Sequence, residues 1–275
     1  MKRAIVVLAA LSALGAQSRP STATCAQRGP SILLPAVPEA SGIARAGGVW
    51  WTHNDSGPPV VFRLDASGRS TPVTVPGADV EDWEDLASGA CAAGTCLYVG
   101  DIGDNRGARE RITIYQVPLP APGGTSTKPA AAIHLEYPDD PHDAEALLIT
   151  KAMGIFVITK DVPSRVYQIA ASLKPGETGT LRLFRTLKEK VRMTGAAVSP
   201  DERWIALRSN STLLLYTIDA FAKGGDPIRV DLAGLREPQG EGVAFGAGGD
   251  VYLVSEGRGM GAAGILTRVH CAFIR

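Results

Sequence analysis

Five short segments recur along the chain, each a small or acidic residue followed by hydrophobic and small ones. They are Ser41-Gly42-Ile43-Ala44, Glu84-Asp85-Leu86-Ala87, Glu145-Ala146-Leu147-Leu148, Ala196-Ala197-Val198-Ser199 and Glu241-Gly242-Val243-Ala244. Their first residues stand 43, 61, 51 and 45 positions apart. A loose period of that length marks stacked units, each too small to bury its own apolar face. After each segment come short runs enriched in β-branched and aromatic residues, divided by Gly, Pro, Asp and Asn, which read as strands and turns. The first repeat offers four such runs, Ser41 to Ala46, Val49 to His53, Val60 to Asp65 and Thr71 to Val75. The fifth offers Glu241 to Phe245, Val251 to Ser255 and Ile265 to Cys271, and so ends one strand short. Ser31 to Val37, ahead of the first repeat, supplies the missing strand. The expectation is an all-β, five-bladed β-propeller with four-stranded antiparallel blades, closed by an N-terminal strand, a closure that leaves no open sheet edge. No long stretch carries the 3.6-residue period of an amphipathic helix.

Residues 1–16 begin with Lys2 and Arg3, pass through an apolar run and reach Ala13, Gly15 and Ala16, the pattern of a secretory signal peptide. The run is shorter than the roughly 20 apolar residues of a membrane span. Residues 25–275 are then expected to form a single propeller domain, secreted or periplasmic, monomeric, with no integral membrane segment in the mature chain. Setting aside Lys2 and Arg3 leaves 26 basic against 28 acidic residues, so no overall field favours nucleic acid as a partner. The four cysteines allow three pairings in an oxidising compartment. Spacing favours Cys91 with Cys96, leaving Cys25 and Cys271 to clasp the ends of the domain. In the loop-entropy treatment that closure contributes roughly 4 to 5 kcal/mol.

In a propeller the first strand of every sheet lines the central channel, so Ser41, Glu84, Glu145, Ala196 and Glu241 converge on one axis. Three carboxylates brought together repel one another unless a cation or proton compensates them. Calcium suits such a place, being a hard ion that takes 6–8 oxygens in flexible geometry. The bland alternative is that each Glu caps backbone amides at a strand entry.

With these residues in view, the chain resembles the secreted calcium-activated nucleotidases, or apyrases. That resemblance implies five blades and an axial calcium held by Ser41, Glu84, Glu145 and Glu241. Ala196 departs from the pattern, since it has no ligand oxygen, and nearby Thr194 is the substitute. The run Trp83-Glu84-Asp85-Leu86-Ala87 followed by Leu97-Tyr98-Val99-Gly100 is similar to the family's second blade. The chain also looks like uncharacterised bacterial exported propellers carrying NDSG, DWED and GDIGDN segments.

Second strands return toward the face where first strands begin, so their ends should surround the axial site. The expected catalytic carboxylates there are Asp55, Asp101, Asp104 and Glu256. The expected substrate-binding residues are Asn54, Arg106, Lys160, Arg208 and Arg258, with Asp140, His142, Asp143 and Arg192 in neighbouring loops. Cations of this kind hold phosphate or carboxylate oxygens, and a carboxylate orients a water. Each segment also has a plain structural reading: Asn54-Asp55-Ser56-Gly57 is a good turn, and Lys160 and Arg208 can pair with neighbouring acids. Two functions follow. One is a calcium-dependent hydrolase of a phosphorylated or otherwise anionic small molecule; the alternative is a non-catalytic binding propeller with structural calcium. A glycosidase ranks third, because aromatic content is only 6%.

Overall fold

The computed structural model describes residues 22–259 and 261–274, so the expected signal peptide lies outside the described residues. Five antiparallel sheets follow one another along the chain. Their innermost strands are Ala40–Ala46, Trp83–Cys91, Ala144–Thr150, Gly195–Val198 and Gln239–Phe245. The ring closes because the last blade contributes Gln239–Phe245, Asp250–Glu256 and Gly264–His270, and the N-terminal region adds the outer strand. Ile32–Leu34 and Ala26–Gln27 both pair antiparallel with Gly264–His270, at its two ends. The disulfide Cys25–Cys271 fastens that joint, and Cys91–Cys96 staples the first hairpin of blade 2.

The blades hold together because their middle strands are apolar on both faces, and alternate side chains face opposite neighbours. Leu213 and Leu215 pack toward blade 5 with Val243 and Leu253. Leu214 and Tyr216, between and beside them, pack toward blade 3 with Phe156 and Ile158. Similar clusters join blades 1 and 2 around Trp51 and Leu97, and blades 2 and 3 around Ile114 and Val157. Blades 5 and 1 meet around Val254 and Ile43, which completes the circle. Each fully buried Leu or Val contributes about 1.5–3 kcal/mol. Close to the axis the first strands touch backbone to backbone: a Cβ on Gly242 would stand 2.5 Å from the Ser41 carbonyl oxygen.

Three elements depart from the sequence expectation. A six-residue helix, Ile218–Lys223, interrupts blade 4, capped by the Thr217 side chain and ended by left-handed Gly224. Six residues are too few to register a helical period. The short strand Thr178–Thr180, from the long connection inside blade 3, adds in parallel to the outer edge of blade 2. Thr22–Ala23 does the same for blade 4.

Candidate metal centre on the propeller axis

Four of the five first strands carry a register irregularity at their entry. It falls between Ala40 and Ile43, Trp83 and Asp85, Ala144 and Ala146, and Gly240 and Val243. The residues passed over include Ser41, Glu84, Glu145 and Glu241. A bulge inserts an unpaired residue and re-aims its side chain, so the irregularity is what frees these side chains from the ladder. Blade 4 pairs regularly from Gly195 through Val198, and the residue it brings to this place is Thr194, not the expected Ala196, which stands two positions further on, level with Leu86 and Leu147.

The result is a crowded acidic mouth. Glu84, Asp143 and Glu145 each present an oxygen, and these oxygens lie within 4.8 Å of one another. Asp143, which the sequence placed only in a rim loop, joins the ring because it stands one residue before the bulged strand. The Asp104 amide holds it, donating to Asp143 Oδ1 at 2.8 Å. Burial, followed by the Asp82 and Glu241 charges, pushes the Glu84 carboxyl up to about 10. Burial likewise pushes Glu241 up to about 8. The buried Oε2 atoms of Glu145 and Glu241 have no hydrogen-bond partner. Buried carboxylate oxygens without donors are groups that a cation satisfies. Oxygens on opposite sides of a calcium ion lie about 4.6 to 5.2 Å apart, so the ring has the dimension and the hard donors for such an ion.

Ser41 is fully buried and its hydroxyl donates to the Glu84 carbonyl at 2.9 Å, tying blade 1 to blade 2. Thr194 makes the equivalent tie from blade 4 to blade 5, donating to the Gly240 and Glu241 carbonyls at 2.9 and 3.2 Å. Beneath the acidic ring sits Asp85, wholly buried, the second residue of the Glu84-Asp85-Leu86-Ala87 segment. Its oxygens accept from the amides of Leu86 at 2.8 Å, Leu147 at 2.8 Å and Ala196 at 3.1 Å. Burial raises its carboxyl well above the usual range, and the three amides counter this in part.

Around the mouth the rim residues divide. Asp55 is pushed up to about 7 by burial and the adjacent Glu39 carboxyl, with Glu256 adding to the effect, and its Oδ1 is unpartnered. Glu256 is itself raised, by burial and then by Glu39. Asn54 caps the Glu39 amide. His53 is fully buried; its Nδ1 donates to the Asn54 carbonyl, and burial lowers it to about 4, so the ring is neutral. Arg106 and Arg258 are exposed. The Lys160 ammonium pairs with Glu145 and lies 3.9 Å from Asp143 Oδ2.

Asp101, Asp104 and Arg208 are bound internally. Asp101 accepts from the Asp82 amide and the Arg109 guanidinium, both at 3.0 Å. Asp104 accepts from the amides of Ala108 and Arg109. Arg208, expected at the rim, is completely buried, where it pairs with Glu237 and donates to the Gly242 and Val254 carbonyls at 2.7 Å. A cavity of about 770 Å³ opens at the far ends of the first strands, lined by Leu86, Tyr98, Leu147, Ile149, Val198 and Phe245 among others. None of the axial carboxylates lines it.

Fold and site together define a five-bladed β-propeller with an acidic centre on its axis. No protein-family model matches the chain, and no curated protein does. Among solved structures, a gluconolactonase from Xanthomonas campestris is similar with a TM-score of 0.47 and 12% identity, over 92% of this chain and 99% of that one. A virginiamycin B lyase from Staphylococcus aureus gives 0.45 and 11%, over 90% and 89%. A chain of a nidogen/laminin complex gives 0.44 and 11%, over 78% and 72%. At this level the likenesses carry no argument about activity, and the fold rests on the strand pairing described above.

Proposed function

We propose that this is an exported calcium-binding β-propeller that hydrolyses a phosphorylated or otherwise anionic small molecule at its acidic mouth. The observation that carries this reading is the set of buried, donorless oxygens on Glu145 and Glu241 beside the close trio Glu84, Asp143 and Glu145. Those side chains would hold the ion, with Ser41 behind them. Bound calcium would supply neutralising charge and polarise an anionic ligand. Asp55, pushed up to about 7, would take or return a proton around neutral pH. Arg258 and Arg106 are open to solvent and suited to phosphate or carboxylate oxygens. Two disulfides fit an oxidising, exported setting, and no helix among the described residues is long and apolar enough to cross a membrane. The likeness to apyrases in Ser41, Glu84, Glu145 and Glu241 supports the same metal.

A non-catalytic binding propeller with structural calcium is the second reading. It is favoured by one observation: Asp101, Asp104 and Arg208 are already committed to internal bonds. Phosphatase and nucleotidase assays with calcium or chelator, repeated on Glu145→Gln, separate the two. Calcium-dependent turnover that the variant loses supports the hydrolase. A calcium-induced rise in Tm without turnover on a broad panel supports the binding module.

A further inference from the structure

We propose that the Lys160 ammonium is a tethered counter-ion that a divalent cation must expel to reach Glu84, Asp143 and Glu145, an inference that rests on the metal reading above. Lys160 directly follows the second strand of blade 3, Gly154–Thr159, and its amide donates to the Asp143 carbonyl at 2.8 Å. Its side chain turns back to pair with Glu145, and lies 3.9 Å from Asp143 Oδ2. These are two of the three carboxylates that converge within 4.8 Å. Calcium takes its oxygens at about 2.3–2.6 Å. An ion coordinating Glu145 and Asp143 therefore claims the space that the ammonium fills, and the two like charges repel.

The reach of the Lys160 charge extends past this pair, since it also opposes the upward shifts of Glu84, Glu241 and Glu256. The metal-free centre thus already has a cation of its own. A permanent lysine–glutamate pair in place of a metal would be the rival arrangement, and it leaves Glu145 Oε2 and Glu241 Oε2 without partners. Release is feasible on two counts. The Lys160 side chain is 27% exposed, against 5% for Glu145, and its four-carbon stem is flexible. The hydrogen bond from the Lys160 amide to the Asp143 carbonyl keeps the root of the side chain fixed while the head moves. Glu256, at the end of the second strand of blade 5, offers the displaced ammonium another carboxylate.

Calorimetric titration of the full chain with calcium chloride, comparing wild type with Lys160→Met and Lys160→Gln, tests the exchange. Both variants are expected to bind calcium more tightly by roughly tenfold or more, within the usual range for coupled sites. In wild type, acetylation of Lys160 followed by peptide mass spectrometry is expected to speed up several-fold at saturating calcium. Binding by the variants alone would also support exchange. Equal affinities and unchanged labelling in a wild type that binds calcium overturn the exchange and leave the metal reading standing. Absence of binding in wild type and variants overturns both. If thermal melting shows that a variant fails to fold, the wild-type labelling decides alone.

Discussion

Asp85 performs at the axis the task that a neighbouring strand performs elsewhere in a sheet. First strands have an inner edge facing the channel, and a buried amide there costs free energy unless something accepts its hydrogen. One carboxylate serves three such amides from three successive blades. Asp85→Asn puts an NH2 group against at least one of them, at a cost of about 1–3 kcal/mol. Urea unfolding should show a lower midpoint with unchanged m; a wild-type midpoint would remove Asp85 from this role. Glu84 and Glu241 govern the pH response. Their folded values of about 10 and about 8 exceed the ordinary 4.5, so the folded state keeps protons that the unfolded chain has released. Stability from this source is complete below about pH 4.5 and is lost as pH rises through 8 toward 10. Metal-free protein should therefore show a falling Tm over that range, flattened in Glu84→Gln and reversed by calcium. At this scale the sequence period was sufficient to find Ser41, Glu84, Glu145 and Glu241, because equivalent places in a repeat share a position. It could not find Asp143 or Asp85, whose roles depend on a bulge and on unpaired edge amides. Arg208 read as an anion donor because its charge was visible and its burial was not.

Among the elements, the loop Asp101 to Asn105 supports the acidic ring without entering it. Its amide at Asp104 orients Asp143, and a Cβ on Gly103 would stand 2.4 Å from Glu84 Oε1. Gly103→Ala should consequently push the Glu84 carboxylate aside and weaken calcium binding roughly tenfold or more, while Tm without metal changes little. Isothermal calorimetry beside a melting curve checks this, and unchanged affinity would contradict it. Strand runs in the repeats were legible because β-branched clusters alternate with turn residues over short, regular distances. The added parallel strands Thr22–Ala23 and Thr178–Thr180 were not, being two or three residues long and defined only by the neighbour they meet. The bulges were equally hidden, since pairing register belongs to two strands at once.

As a whole, the molecule is a circle whose last blade is assembled from both ends of the domain. Serine at Cys25 and Cys271 together removes the covalent fastening and should cost about 2–5 kcal/mol. The loss should appear as a lower Tm in oxidising buffer that disappears when both proteins are reduced; equal melting in oxidising buffer would show that the strand pairing suffices. The five-blade architecture and its closure were readable because the fifth repeat lacked a strand that Ser31 to Val37 could provide. The closure also imposes an order of events on biosynthesis. Residues 26–34 are made ahead of blades 1 to 4, and their partner Gly264–His270 only after them. A nascent chain can stack its early sheets in sequence while this leading strip waits without a mate. Completion therefore waits until Gly264–His270 has been made, and a product cut short before residue 264 would remain an open fan with one sticky side.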